Sequence, residues 1–372
     1  MRRRLLWATE AHMLNKIQFP GKYLQGFRAL DELSGVVDFY GKKGLVLCSG
    51  SGEKILAGLA ARGGRVLESV RFGGECSQAE VARVAGLVAE KKADVLVGLG
   101  GGKVIDTAKI VADKARIPVV IVPTIASTDA PCSGCAILYT DSGEFEGVTY
   151  QRANPEVVLV DTEVIAQAPA RFLIAGMGDA LSTYFEARSC AANRRTTPCG
   201  GLGTLTGMGI ARLCYETLLS HGAAAKIAAE NHVASPAFEH VVEANILLSG
   251  VGFESAGLAS AHGIHNGLTA LPETHAYYHG EKVAFGVLSG LVLTDADSDE
   301  VEEVYAFCEA IGLPTTLADL GLMGISRERL LPVAEKACAK ESCLHNEAGE
   351  ITPQKVLGAM LAADAMGRAR KA

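Results

Sequence analysis

The segment ADVLVGLGGGKVIDTAK, residues 93–109, joins an apolar run to a helical pattern through three consecutive glycines. The run is short and rich in valine and leucine, which is typical of a strand buried on both faces of a parallel sheet. Gly100, Gly101 and Gly102 leave backbone N–H groups open where the helix begins, a geometry that suits an anion. The segment therefore predicts a strand–turn–helix unit with a phosphate-binding turn. The alternative is a tight turn that binds nothing.

This turn matches neither common phosphate-binding pattern. A P-loop ending in Gly102-Lys103 needs a glycine at position 97, where the chain has valine, and its next residue is Val104. A strict dinucleotide fingerprint starting at Gly98 needs a third glycine where the chain has Lys103. We therefore interpret the turn from its physical character, because glycines without side chains allow a pyrophosphate to approach the backbone closely.

The neighbouring sequence repeats the alternation of strand and helix. Further apolar runs are equally short, β-branched and bounded by glycine, proline or charge: residues 44–48, 117–124 and 156–162. Helical patterns, such as residues 77–93, lie between them. This alternation predicts a parallel sheet that is covered by helices on both faces.

After Pro169, long stretches with helical periodicity replace the strand-like runs. The change predicts two domains, an α/β domain over residues 1–170 and an all-helical domain over residues 171–372. The length of 372 residues agrees with two or three domains. A cleft between two such domains is a common place for a small-molecule site.

Composition and charge exclude several kinds of partner. The chain is 49% hydrophobic and 21% charged, and it carries a net charge of −7 without a long basic run. We therefore expect neither nucleic acid nor an anionic membrane as a partner. No stretch approaches the roughly 20 apolar residues of a membrane span. The apolar run near the start is too short for a secretory signal, and residues 1–15 are expected to form a loose extension.

Ten cysteines are scattered along the chain rather than set in a small-domain disulfide framework. Several of them stand in apolar contexts, which predicts buried, reduced thiols in a cytoplasmic protein. Cys132 and Cys135 form a CxxC motif that a redox or zinc site would also need. Because there is no second CxxC, we interpret the pair as small residues in a tight turn.

Two polar segments carry candidate functional groups. The loop VPTIASTDAPCSG, residues 122–134, follows a predicted strand and offers hydroxyls and the Asp129 carboxylate at the edge where open α/β sheets bind ligands. A plain polar loop is the alternative.

The second segment, residues 260–282, contains four of the nine histidines. His262 and His265 are three positions apart, His275 and His279 four, and either spacing can hold a metal. Spacing alone does not choose the ligands. Asp179, in the first turn of a predicted helix, is the candidate acidic ligand, with a helix-terminus role as the alternative. Glu186 is expected at the surface.

Taken together, these segments resemble the iron- or zinc-dependent alcohol dehydrogenases, and within them the bacterial glycerol dehydrogenase branch. The resemblance covers nearly the whole chain and rests on motifs that are specific in combination: PGKYLQG, FGGECSQ, GLGGGKVIDTAK, PTIASTDAPCS, GMGDALSTYFEAR, GVGFESAGLASAHGIHNGLTAL and HGEKVAFG. It implies a Rossmann-like parallel-sheet domain followed by an all-helical domain, in the dehydroquinate synthase-like architecture.

The resemblance also implies site residues. The metal ligands would be Asp179, His262 and His279, holding zinc or alternatively iron, and Asp129 would contact a polyol. Three protein ligands leave one position open for a substrate oxygen. Thr183 stands where some relatives have a fourth, histidine ligand. The NAD contacts would be Gly101, Gly102, Lys103, Asp106, Thr124, Ser127, Ser133, Cys135 and Tyr139.

The implied activity is reversible oxidation of glycerol, or a similar vicinal diol, to dihydroxyacetone with NAD as hydride acceptor. Two alternatives are a reductase of 2-oxo acids or other small carbonyls, and a non-catalytic binding or assembly protein. The resemblance further implies a homo-oligomer, as large as an octamer.

One departure concerns the cofactor. Relatives carry an acid after the first strand that can accept the ribose hydroxyls, but this chain has Ser49, with Glu53 nearby. NADP is therefore not excluded.

Overall fold

The computed structural model describes residues 14–371. Most of the expected loose extension, residues 1–15, falls outside this range. Its last two residues are held in place, because the Leu202 N–H donates to the Leu14 carbonyl at 2.9 Å and Asn15 forms a β-bridge with Leu202. The described part of the chain thus begins with ordered backbone pairing against the helical half.

One parallel sheet organises the first half of the chain. Its strands are Tyr23–Gly26 (β1), Gly44–Cys48 (β2), Glu68–Arg71 (β3), Val95–Gly100 (β4), Val119–Pro123 (β5) and Val157–Asp161 (β8). Cys135–Tyr139 (β6) and Phe145–Tyr150 (β7) form a separate antiparallel hairpin. The strand order is β1-β8-β5-β4-β2-β3, so the four strands expected from the sequence are the four central ones.

Helices cover both faces of this sheet, as the alternation predicted. They are Leu33–Tyr40 (α1), Gly50–Ala61 (α2), Gln78–Lys91 (α3), Gly102–Ala115 (α4) and Thr162–Ala166 (α5). Successive side chains of β2 point to opposite faces. Leu45 and Leu47 pack with α3 and α4, whereas Val46 and Cys48 pack with α1 and α2.

The second half is helical. Beyond β8, the described residues contain isolated bridges only, at Thr196 and Leu202. The helices are Ala170–Ala192 (α6), Leu205–Glu230 (α7), Pro236–Glu243 (α8), Ser249–Ala256 (α9), Ser260–Leu268 (α10), His279–Leu293 (α11), Ser298–Ile311 (α12), Arg327–Ala337 (α13) and Pro353–Lys371 (α14). A π-helical turn, Ala244–Leu248, joins α8 to α9, and 3-10 turns span Ala29–Glu32, Ala130–Cys132, Pro272–Ala276, Ala318–Leu320 and Cys343–Asn346.

The α/β architecture with a helical second half is as predicted. The domain boundary at residue 170 coincides with the start of α6 and stays a prediction. Within residues 14–371, no single helix has the length and apolar character to cross a membrane. Two segments, Pro236–Ala256 and Ser260–Leu268, meet those criteria only as a pair that is bent by 101°.

The strand order also locates the ligand crevice. From β2 the chain moves to β3 on one side and then returns to β4 on the other side. Ligands of open α/β sheets bind outside the carboxyl ends of the strands at such a reversal. The turns that follow β2 and β4, residues 49–50 and 101–102, both lie there.

Candidate metal centre and nucleotide site

Three side chains from three helices converge in the helical half. Asp179 lies in α6, His262 in α10, and His279 is the first residue of α11. Oδ1 of Asp179 is 3.0 Å from Nε2 of His279 and 3.6 Å from Nε2 of His262. One potential ligand atom from each residue lies within 4.8 Å of the other two. The fold thus brings together the three side chains that the resemblance implied as ligands, and their role as ligands stays a prediction.

The chemistry of this cluster fits a divalent cation. Asp179 is 1% exposed, and its Oδ1, although 3.0 Å from Nε2 of His279, accepts no hydrogen bond of regular geometry from residues 14–371. Leaving a buried acceptor unsatisfied costs about 1–3 kcal/mol, which a bound cation would remove. One carboxylate oxygen and two imidazole nitrogens are ligands that zinc and iron both accept. The donor set does not choose between these two metals.

The electrostatics of the cluster point the same way. Burial opposes ionisation of Asp179, but His279 and His262 outweigh it and hold the pKa of the carboxyl well below its ordinary value. Burial also opposes protonation of His262, yet Glu186 and Asp179 raise the pKa of this imidazole well above its ordinary value. The carboxylates therefore create a field that favours positive charge at this point.

Glu186 was expected at the surface, and this expectation is wrong. Its side chain is 1% exposed, and Oε2 lies 2.7 Å from Nδ1 of His262. Its Oε1 accepts the backbone N–H groups of Ala259 at 2.8 Å and of His262 at 3.0 Å. Glu186 follows Asp179 by seven positions, two helical turns, so both share the buried face of α6. With Nδ1 engaged, Nε2 of His262 faces the cluster.

The other two histidines of this region lie outside the metal cluster. His265 is buried, with Nδ1 3.1 Å from Oδ1 of Asn266 and its ring centroid 4.2 Å from that of His279. His275 is exposed, and its Nε2 lies 3.1 Å from the Thr269 carbonyl oxygen. Both are neighbours of the cluster rather than members of it.

A loop of the α/β half reaches the metal cluster. The backbone N–H of Asp129 donates to Oδ2 of Asp179 at 3.4 Å. The Asp129 side chain accepts a hydrogen bond from Ser249 Oγ at 2.8 Å. Burial, and then the Asp179 carboxylate, raise the pKa of Asp129. The candidate substrate contact and the candidate metal ligand are therefore in direct contact across the two halves of the chain.

Packing explains the glycines at positions 100 and 101 of the turn, but it does not explain the glycine at position 102. A Cβ on Gly100 would lie 2.7 Å from Cγ2 of Val104, so the approach of strand to helix demands glycine there. A Cβ on Gly101 would lie 3.2 Å from Cδ1 of Ile125. At Gly102, a Cβ would meet none of the described atoms within 4 Å. The open space at this N-terminal residue of α4 agrees with the close approach of a phosphate group.

Two residues after the turn make protein contacts. Lys103 Nζ lies 2.5 Å from Oε2 of Glu75 and 5.2 Å from the centre of the Tyr139 ring. Asp106 is buried, and its Oδ2 accepts the backbone N–H of Ile137 at 3.0 Å. Asp106 therefore fastens the β6–β7 hairpin to α4, and its assignment as a nucleotide contact stays a prediction.

Lys109 is a buried residue that the motifs did not single out for a role. Its side chain is 2% exposed, and Nζ pairs with Oδ1 of Asp106 at 3.2 Å. The same Nζ donates to the carbonyl oxygens of Ala130 at 2.9 Å, of Ser133 at 3.4 Å and of Cys135. The Lys109 side chain thus holds the backbone of the loop that carries several of the predicted nucleotide contacts. Its spacing of three from Asp106 was the only local signal.

The remaining predicted nucleotide contacts lie in or beside this loop. Thr124 is nearly buried, Ser127 half-buried and Ser133 fully buried, so their assignment as nucleotide contacts stays a prediction. The cysteines of the CxxC motif are free thiols, and burial raises the pKa of Cys135 to about 11. A thiol with a raised pKa is protonated at neutral pH and therefore unreactive, which agrees with the structural interpretation of the motif.

The turn after β2 carries hydroxyl groups at the place where the resemblance implies an acid. Ser49 caps α2, its Oγ accepts the Gly52 N–H at 3.3 Å, and it lies 2.9 Å from Oγ of Ser51. The nearby Glu53 carboxylate is 3.8 Å from the guanidinium of Arg71, whose side chain is 72% exposed. This corner of the crevice therefore has hydroxyl groups and an accessible cation.

Comparison with known proteins agrees with this geometry. Residues 20–162 match the family model described as iron-containing alcohol dehydrogenase. The chain is 53% identical over 363 residues to a glycerol dehydrogenase of Thermotoga maritima, covering 96% of this chain and 99% of that one. It is 46% identical over 300 residues to a glycolaldehyde reductase of Halobacterium salinarum, covering 81% and 82%. A solved structure of a probable glycerol dehydrogenase from Sinorhizobium meliloti 1021 superposes with a TM-score of 0.90 at 45% identity, covering 96% and 100%.

Proposed function

Because this chain belongs to the iron-containing alcohol dehydrogenase family, in the branch that contains the glycerol dehydrogenases, we propose that it oxidises glycerol reversibly to dihydroxyacetone with NAD as hydride acceptor. The observation that carries the proposal is the cluster of Asp179, His262 and His279 in contact with the Asp129 loop. An intact ligand set beside an α/β crevice weighs against a non-catalytic binding or assembly protein.

The residues of the chain divide the work between its two halves. A bound zinc ion, or alternatively iron, would supply a Lewis acid that lowers the pKa of an alcohol, and bound NAD would supply the hydride acceptor. Asp179, His262 and His279 would hold the metal. Asp129 accepts a hydrogen bond from a second hydroxyl of the polyol and thereby orients it. The N-terminus of α4 at Gly102 would receive the pyrophosphate of the dinucleotide.

The proposal predicts turnover that depends on a metal. Protein stripped with a chelator should oxidise glycerol or a similar vicinal diol only after zinc or iron is restored, measured as formation of reduced nicotinamide. Metal-dependent turnover of none of the short vicinal diols tested would exclude this function.

A second candidate reaction is the reduction of a small carbonyl compound. The similarity to a glycolaldehyde reductase favours it as the direction and substrate class to test first. Rates with glycolaldehyde, dihydroxyacetone and 2-oxo acids, compared with glycerol oxidation at the same metal loading, decide between the two.

The cofactor preference follows from Ser49. An acid at this place accepts the ribose hydroxyls and repels a 2′-phosphate, whereas Ser49 and the exposed Arg71 do not repel it. We expect NADP to be used within about tenfold of NAD in kcat/KM. Ser49→Asp should raise the NAD-to-NADP ratio by about 10-fold to 100-fold, each tenfold being about 1.4 kcal/mol. Asp also caps helices well, so α2 should remain stable.

Ser49→Asn is the matched control, since it caps the helix without adding charge. It should leave the ratio within about threefold of the parent chain, well below the tenfold step. An unchanged NAD-to-NADP ratio in Ser49→Asp would show that residue 49 does not contact the ribose of the cofactor.

We also propose a cytoplasmic homo-oligomer, as large as an octamer. The exposed apolar side chains of α7, Leu205, Leu213 and Ile227, support an interface between subunits. The ten free cysteines, seven of them buried, support a reducing compartment.

A further inference from the structure

We infer that Ser249, itself held by Thr183, is a positioning residue that fixes the orientation of the Asp129 carboxylate beside the metal cluster. The inference rests on the proposed function in one respect, the role of Asp129 as the contact for a second substrate hydroxyl. It goes beyond that function by assigning two buried hydroxyl groups to it.

The geometry is a short chain of hydrogen bonds. Ser249 Oγ donates to Oδ2 of Asp129 at 2.8 Å, and Thr183 Oγ1 lies 2.9 Å from Ser249 Oγ. Ser249 is 0% exposed and Thr183 is 1% exposed. A serine hydroxyl has a single hydrogen, and here it is used on Asp129. With Ser249 donating to Asp129, Thr183 is the donor to Ser249.

Thr183 ties this chain to the helix that carries a metal ligand. It lies in α6, one turn after Asp179 and on the same face. Gly252 of α9 packs against it, because a Cβ at residue 252 would lie 2.5 Å from Cγ2 of Thr183. This close approach of the two helices restricts the Thr183 side chain, whose χ1 is already stiff. The two hydroxyl groups thus link α6 to the Asp129 carboxylate and fix its orientation relative to that helix.

Other contacts already hold the backbone of the loop. Asn245, in the π-helical turn, donates from Nδ2 to the Ala126 carbonyl at 3.0 Å. Gly250 packs against the loop, because a Cβ there would lie 2.8 Å from the Asp129 carbonyl oxygen. π-helical turns are frequent at functional sites. With the backbone held in this way, loss of the Ser249 hydroxyl should change the orientation of a side chain rather than the fold of the loop.

The test compares a diol with an alcohol that has one hydroxyl. Ser249→Ala should lower kcat/KM for glycerol by about 10-fold to 100-fold, mainly through KM, and change kcat/KM for 2-propanol by less than about threefold. Metal stoichiometry and NAD affinity should stay as in the parent chain. Thr183→Val should also lower kcat/KM for glycerol more than for 2-propanol, by a smaller factor than Ser249→Ala. Thr183→Ser keeps the hydroxyl and should keep the preference of the parent chain for the diol.

Ser289→Ala is the matched control, since Ser289 is also 0% exposed and its Oγ has no hydrogen-bond partner within residues 14–371. Equal losses for both alcohols, a loss of metal, or no loss in Ser249→Ala would each overturn the inference.

A crystal structure of Ser249→Ala gives a readout that does not depend on activity. A rotated Asp129 carboxylate supports the positioning role, and an unmoved one contradicts it. If the parent chain oxidises no diol, the proposed function fails, while the crystal structure still decides whether Ser249 orients Asp129.

Discussion

Asp179→Asn and His262→Ala are each expected to abolish stoichiometric metal binding and to lower diol oxidation by about 10³-fold or more. Each change removes one of the three proposed ligands, and Asp179→Asn also removes the buried negative charge that would attract a cation. A Lewis acid supplies several kcal/mol of transition-state stabilisation, and about 4 kcal/mol corresponds to 10³-fold. Metal analysis of the purified variants and rates with glycerol measure both effects.

These variants should still bind NAD, because the turn after β4 and the metal cluster belong to different halves of the chain. A fluorescence titration with NADH checks this directly. His275→Ala is the matched control, a nearby histidine with an exposed side chain that lies outside the cluster. It should keep its metal and its rate. Full metal content and full rate in Asp179→Asn would show that the ligand assignment is wrong.

The central sheet could be predicted because its residues carry a local signal. Leu45 to Cys48 and Val95 to Leu99 are buried on both faces, so every position is apolar. The edge strands β1 and β3, with sequences YLQG and ESVR, were missed. An edge strand is short and half-exposed, so it lacks both the length and the apolar pattern by which a strand is recognised.

From the residues themselves, only those parts of the site whose members lie close together in the sequence could be predicted. The histidines of residues 262–279 stand close together in the chain, but spacing alone left four candidates for the ligands. The choice depends on Asp179, more than 80 residues away, and so on the packing of α6 against α10 and α11. Ser249 was missed for the same reason, since its partner Asp129 lies 120 positions away. Lys109 was missed because its partners other than Asp106 lie 21 or more positions away.

Glu186 was wrongly expected at the surface, and its contact with His262 leads to the second large expected effect, a loss of metal affinity. Glu186→Gln should weaken metal affinity by about 10-fold to 100-fold, the usual cost of losing a group that orients a metal-bound histidine. Glutamine has the same shape but only one acceptor oxygen. That oxygen cannot serve both the two backbone N–H groups at Oε1 and Nδ1 of His262 at Oε2. Competition with a chromogenic zinc chelator measures the affinity.

Glu254→Gln separates a metal effect from a general cost in stability. Glu254 is also buried, at 2% exposed, and it accepts the Gly134 N–H at 2.9 Å and a hydrogen bond from Asn154. Both variants should lower the melting temperature of the metal-free protein, because each leaves a buried donor unpaired. Only Glu186→Gln should release zinc to the chelator. Equal zinc affinity in the two variants would mean that Glu186 stabilises the helix packing but does not orient His262, and that Nε2 is aimed at the cluster by the backbone of α10 alone.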